Sequence, residues 1–128
     1  MKHLKLFEGF NKMTIREVEE LLEDLFVEIF DKWSIEKSSG YFKYDVCSVE
    51  SNKPYIYLII SKTVFSHIEI DIFQELVEDC QPVLHRLSLY GIKFKWDEWK
   101  GHEPLNDAVI CKFRVFIYLD DNPDLIVL

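Results

Sequence analysis

Glycine, proline and cysteine are scarce in this chain, at 4, 4 and 3 of 128 residues. The glycines Gly9, Gly40, Gly91 and Gly101 are isolated from one another. A glycine-rich loop able to cradle phosphate is therefore excluded. So is the G-x-S-x-G elbow of a hydrolase nucleophile. The cysteines Cys47, Cys80 and Cys111 are odd in number, and no two have a C-x-x-C spacing. That excludes a disulfide scaffold and a thiolate zinc site, and predicts reduced, buried thiols acting as small hydrophobes. Long apolar runs are missing too. Tyr55–Ile60 is the longest, far short of the ~20 residues of a membrane helix. The N-terminus has no apolar h-region of a secretion signal, so a reducing cytoplasm is the expected location. Basic residues are the minority, 15 against 23 acids, for a net charge of −8. Such a balance argues against wrapping duplex nucleic acid.

The chain is rich in apolar and aromatic residues, 48% and 15%. A disordered chain is ruled out by that composition. The length is that of one domain, 1–128, with residues 1–12 read as a short leader. A domain this size buries about two-thirds of its unfolded surface and needs no metal to fold.

Apolar residues at Ile15, Val18, Leu21, Leu22, Leu25, Phe26, Ile29, Phe30 and Trp33 keep to one helical face, predicting a single helix over Thr14–Trp33. Thr14 and Glu17 have the spacing of a capping box. The opposite face carries Glu19, Glu20, Glu23, Asp24, Glu28 and Asp31, a solvating surface rather than a carboxylate site. Tyr41–Val49 alternates as a strand, and Glu50–Pro54 is a turn. Tyr55–Lys62 is apolar on both faces, as a central strand is. Residues 66–71 fit either a short strand, through Ile68 and Ile70, or a helix capped by Ser66. From Phe73 to Leu87 the period is helical, with Pro82 expected to kink the helix or start a second one. Ile92, Phe94 and Trp96 alternate with Lys93, Lys95 and Asp97 as a third strand. Glu98–Asp107 reads as a polar connection, and Val109–Leu119 as a long fourth strand.

The expected fold is α+β, in the order α-β-β-α-β-β. A four-stranded, mostly antiparallel sheet would have two helices packed on one face. Phe26, Ile56, Leu58, Ile60, Phe94 and Phe113 are expected to meet in its core.

Chemistry-bearing motifs are few. His3, His67, His85 and His102 form no H-x-x-x-H pair. His102 and Glu103, near Trp99, are the one place where an acid–base or metal site is conceivable; a solvated loop is the simpler reading. Asp120, Asp121 and Asp124 lack the glycine and terminal glutamate of a calcium loop. No catalytic residue, metal or cofactor is assigned, and an enzyme is not expected.

The sheet face away from the helices is more informative. It is expected to show Lys43, Tyr55, Tyr57, Lys93, Lys95, Lys112, Arg114, Phe116 and Tyr118. Cations interleaved with aromatics serve a protein interface, a single-stranded nucleic-acid platform, or a plain exposed face with aliphatic stems over tyrosines. The overall acidity favours a protein partner or a second copy of the chain over nucleic acid.

The opening Met1-Lys-His-Leu-Lys-Leu-Phe-Glu-Gly-Phe-Asn-Lys resembles the short leader of small proteins of large T-even-type tailed phages. The acidic helix and Lys/Tyr-rich hairpin that follow are similar to those proteins as well. Leu6-Phe7-Glu8-Gly9 is similar to the site at which some such leaders are cut. This resemblance implies expression in an infected bacterial cell, as a host-takeover factor or accessory virion component. It carries over no catalytic residue.

Overall fold

The computed structural model of the chain describes residues 13–34, 46–52, 55–102 and 108–126, with 46–52 described as backbone. Helix α1, Ile15–Leu25, starts at Thr14. The Thr14 hydroxyl accepts from the Glu17 backbone N–H at 3.1 Å, and the Thr14 N–H donates to the Glu17 carboxylate at 3.1 Å. Two N–H groups that the helix start would otherwise leave without partners are thereby satisfied.

Phe26 ends α1, and helix α2 follows over Val27–Ser34. Phe26 has ψ 3°, outside the helical basin, while its N–H still reaches the Leu22 carbonyl. The expected order with two helices is thus corrected. Among the described residues there are three helices, in the order α-α-β-β-α-β-β. The break is confined to the Phe26 backbone, at φ −95° and ψ 3°, and the stripe Phe26, Ile29 and Trp33 stays buried across it.

Strand β1, Val46–Asn52, pairs antiparallel with β2, Tyr55–Val64. Helix α3, His67–Ser88, then crosses the sheet and leads to β3, Lys95–His102, and β4, Val109–Tyr118. The sheet order is β1-β2-β4-β3, and each neighbouring pair is antiparallel. A short 3-10 turn, Leu119–Asp121, follows β4. Ile126 then makes a parallel bridge to Thr14.

The alternative left open at residues 66–71 is settled, and other local expectations change. Residues 66–71 are the first turns of α3, with Ser66 as cap and its hydroxyl accepting from Glu69 N–H. Pro82 neither splits nor ends α3. Its ring lies on the exposed side, and the neighbouring Gln81 amide donates to the Val77 carbonyl. Strand β3 starts at Lys95 rather than Ile92 and runs through residues expected to be loop, as far as His102.

All three helices lie on one face of the sheet. Their buried residues, among them Leu21, Phe26, Trp33, Phe73, Leu76 and Leu87, meet Ile56, Leu58 and Ile60 of β2 and Phe113, Val115 and Ile117 of β4. Phe94 is only partly buried and packs at the margin, because it precedes β3 and is not held in the alternation. Cys80 and Cys111 are buried, and Cys111 is a free thiol. Burial pushes the Cys111 thiol up from its ordinary value, which keeps it in its unreactive neutral form. No helix among the described residues is long and apolar enough to cross a membrane.

Candidate functional site

Alternation on paired strands decides which side chains share the open face. Ile117, Val115, Phe113 and Cys111 of β4 point to the helices. Tyr118, Phe116, Arg114, Lys112 and Ile110 therefore point away. Register places Tyr55 opposite Tyr118, Tyr57 opposite Phe116 and Ile59 opposite Arg114. On the other side of β4, Lys95 faces Phe116, Asp97 faces Arg114, Trp99 faces Lys112 and Gly101 faces Ile110.

Of the residues expected on this face, Tyr55, Tyr57, Lys95, Lys112, Arg114 and Tyr118 are there. Lys93 is not. It precedes β3, in a segment whose N–H and carbonyl are held at 2.9 Å by the Asn122 side chain. Lys43 lies outside the described residues, as does the 1–12 leader. Asp97, read as alternating with Lys95, belongs to the face, and so does Trp99, which was read as loop. Continuing the i, i+2 alternation from Lys95 past Trp96 reaches both.

The aromatic rings form a continuous patch. The Tyr55 ring meets Tyr57, Phe116 and Tyr118 edge-on at 5.5, 5.5 and 5.6 Å between centroids, and Phe116 stacks on Tyr118 at 6.0 Å. The cations are spent within the face. Lys112 Nζ lies 4.9 Å over the Trp99 ring, and Lys95 Nζ lies 5.6 Å over Tyr118. The Arg114 guanidinium is 5.4 Å over Phe116 and forks onto Asp97, with both N···O distances 2.8 Å. This hydrogen-bonded pairing holds the Arg114 guanidinium above its usual value. Among the polar groups of the face, the tyrosine hydroxyls, ammoniums and indole N–H all donate. The Asp97 carboxylate, the acid that β3 contributes to the face, is taken by Arg114.

Gly101 has a specific part. The Trp99 indole lies across it, and a Cβ at 101 would run into the ring edge closer than van der Waals contact. Covering an edge-strand glycine with an aromatic ring is a known sheet device. Gly101→Ala is expected to swing the Trp99 indole off the face and away from Lys112, with a stability change within about 1 kcal/mol. The chain has 3 tryptophans. In a ¹H–¹⁵N spectrum the Trp99 indole peak should move while those of Trp33 and Trp96 stay. An unmoved Trp99 peak would show that the ring does not rest there.

The remaining candidates are weaker. His102 is exposed at the end of β3, and Glu103 lies outside the described residues. Among the described residues no group of three or more His, Cys, Asp or Glu side chains is placed to hold a metal ion. A shallow recess between Gly91–Lys93 and Asp121–Leu125 is capped by the Asn122 clamp. No family model, curated protein or solved structure matches the chain.

Proposed function

We propose that the chain is a non-enzymatic interaction module whose open sheet face docks a protein partner. The observation that carries this reading is the internal use of the cations. Bases bind a single-strand platform by stacking on open ring faces, while free cations meet the phosphates. Here Lys95, Lys112 and Arg114 lie over Tyr118, Trp99 and Phe116, and Tyr55 packs edge-on among its neighbours. What is left is a flat aromatic surface rimmed by donors. A protein surface with apolar side chains at its centre and carbonyl acceptors at its margin, for the tyrosine hydroxyls, complements it. Tyrosine and arginine are also the residues that most often anchor such contacts. The proposal takes its setting from the leader, an infected bacterial cytoplasm.

The test compares capture from nuclease-treated infected-cell lysate by the wild type and by two variants. Tyr57→Ala with Arg114→Ala should lose the captured protein. Glu19→Ala with Glu23→Ala, on the acidic helix, should retain it. Capture that survives Tyr57→Ala with Arg114→Ala removes the face from the account. Binding of a single-stranded oligonucleotide that weakens steeply as salt rises would replace the protein partner with nucleic acid.

A further inference from the structure

Strand β3 pairs with β4 alone among the described residues, so no described strand lies on its outer edge. An open edge is a row of backbone donors and acceptors ready to accept another strand. Charged side chains commonly guard such edges, and β3, Lys95-Trp-Asp-Glu-Trp-Lys-Gly-His102, has four. Their order, however, is not neutral toward a second copy of the same strand.

Two copies that join antiparallel into one sheet are related by a two-fold axis perpendicular to it, so the contact is self-complementary. Opposed residues must then belong to the same face, and the axis must pass beside a residue that faces its own copy. Registers that keep more than half of β3 paired place Asp97, Glu98, Trp99 or Lys100 on that axis. Three of these set like charges directly opposite, Asp97 to Asp97, Glu98 to Glu98 or Lys100 to Lys100, which is destabilising. In the fourth, Trp99 faces Trp99. That register also puts Glu98 of each copy opposite Lys100 of the other, twice, and Asp97 opposite Gly101, which has no side chain of its own.

We propose that the protein forms a two-fold dimer in which β3 pairs antiparallel with β3 of a second copy, with Trp99 on the axis. The two sheets become one, and the two aromatic faces become a single platform on the same side. Opposed tryptophans on the open face and crossed Glu98–Lys100 pairs on the helix side set the register. Glu98 is placed for this on the exposed rim, where its carboxylate accepts from the Gln74 amide at 3.4 Å. This proposal does not rest on the docking role of the face. Tyr57→Ala with Arg114→Ala leaves the edge of β3 intact.

The experiment is light scattering across a dilution series of the full chain. The wild type should show twice the 15.3 kDa chain mass. Lys100→Glu and Glu98→Lys should each give the monomer mass at concentrations where the wild type is dimeric. The double exchange, Glu98→Lys with Lys100→Glu, should restore the dimer. Mild oxidation should cross-link Trp99→Cys to a covalent dimer, because directly opposed strand residues lie within disulfide reach, and should not cross-link Lys95→Cys. A monomeric wild type, a dimer indifferent to both reversals, or an exchange that fails to restore it overturns the proposal.

Discussion

Replacing Phe113 by alanine is expected to destabilise the protein by about 3–5 kcal/mol, the cost of emptying a buried phenylalanine site. For a domain of this size that lowers the melting temperature by about 10–20 °C. The magnitude follows from position. Phe113 has no exposed surface and sits on β4, an interior strand of the sheet. Its ring meets Phe26 at 6.4 Å and Trp96 at 5.9 Å, and Ile60 opposes it on β2. It therefore joins the helix layer at the α1–α2 break to the edge strand. A cavity there has strand backbone on two sides and cannot collapse easily. Phe116→Ala, three residues on and on the opposite face, is the control. That ring is partly exposed, and its loss should lower the melting temperature much less. Equal effects, followed by thermal denaturation, would mean that the two faces of β4 have been exchanged.

How much of this was legible in the sequence depends on how each residue's environment is written. β4 reads clearly because it is interior and one-sided. Val109 to Leu119 are apolar at every second position, and the buried Cys111, Phe113, Val115 and Ile117 follow that alternation. β3 reads poorly for the opposite reason. An edge strand buries little on either face, so Glu98, Lys100 and Gly101 look like loop, and strand character there lies only in the backbone pairing to β4. The face residue Trp99 was lost with it, although the Trp99–Lys112 contact, beside the Arg114–Asp97 fork, organises one side of the site. Lys93 was misplaced because counting by twos backward from Lys95 continues past the end of the strand. There Asn122 rather than a neighbouring strand holds the backbone.

The helix break at Phe26 was invisible for a different reason. Periodicity reports which side chains are buried. Leu22, Phe26, Ile29 and Trp33 remain buried on both sides of the break. No glycine or proline marks the spot. The reverse holds for Pro82, a strong local signal overridden by its surroundings. Val83, Leu84 and Leu87 beyond it are buried against the sheet, and that burial holds the last turns of α3 in place. Burying apolar side chains contributes about 1.5–3 kcal/mol each, enough together to offset the roughly 3 kcal/mol that an interior proline costs a helix.

The second large effect is expected at Trp33, where α2 meets α3. Its side chain is fully buried, and its indole Nε1–H donates to the Asp79 carboxylate of α3 at 3.2 Å. The same carboxylate oxygen receives the Lys32 ammonium. Consecutive residues of α2 thus converge on one acid of α3, and the short helix is fixed against the long one by a buried ring and a polar anchor. Trp33→Ala should cost about 3–5 kcal/mol through the cavity it leaves. Trp33→Phe retains most of the apolar bulk but removes the donor to a charged acceptor, and should cost about 1–3 kcal/mol. Asp79→Asn keeps an oxygen for the indole and loses only the ion pair. That pair is half exposed, with the Lys32 side chain at 52%, so its loss should cost at most about 1 kcal/mol. Denaturant unfolding of the three variants separates bulk from anchor. If Trp33→Phe proves no worse than Asp79→Asn, the indole N–H contributes nothing beyond the ring it belongs to, and packing alone holds α2 on α3.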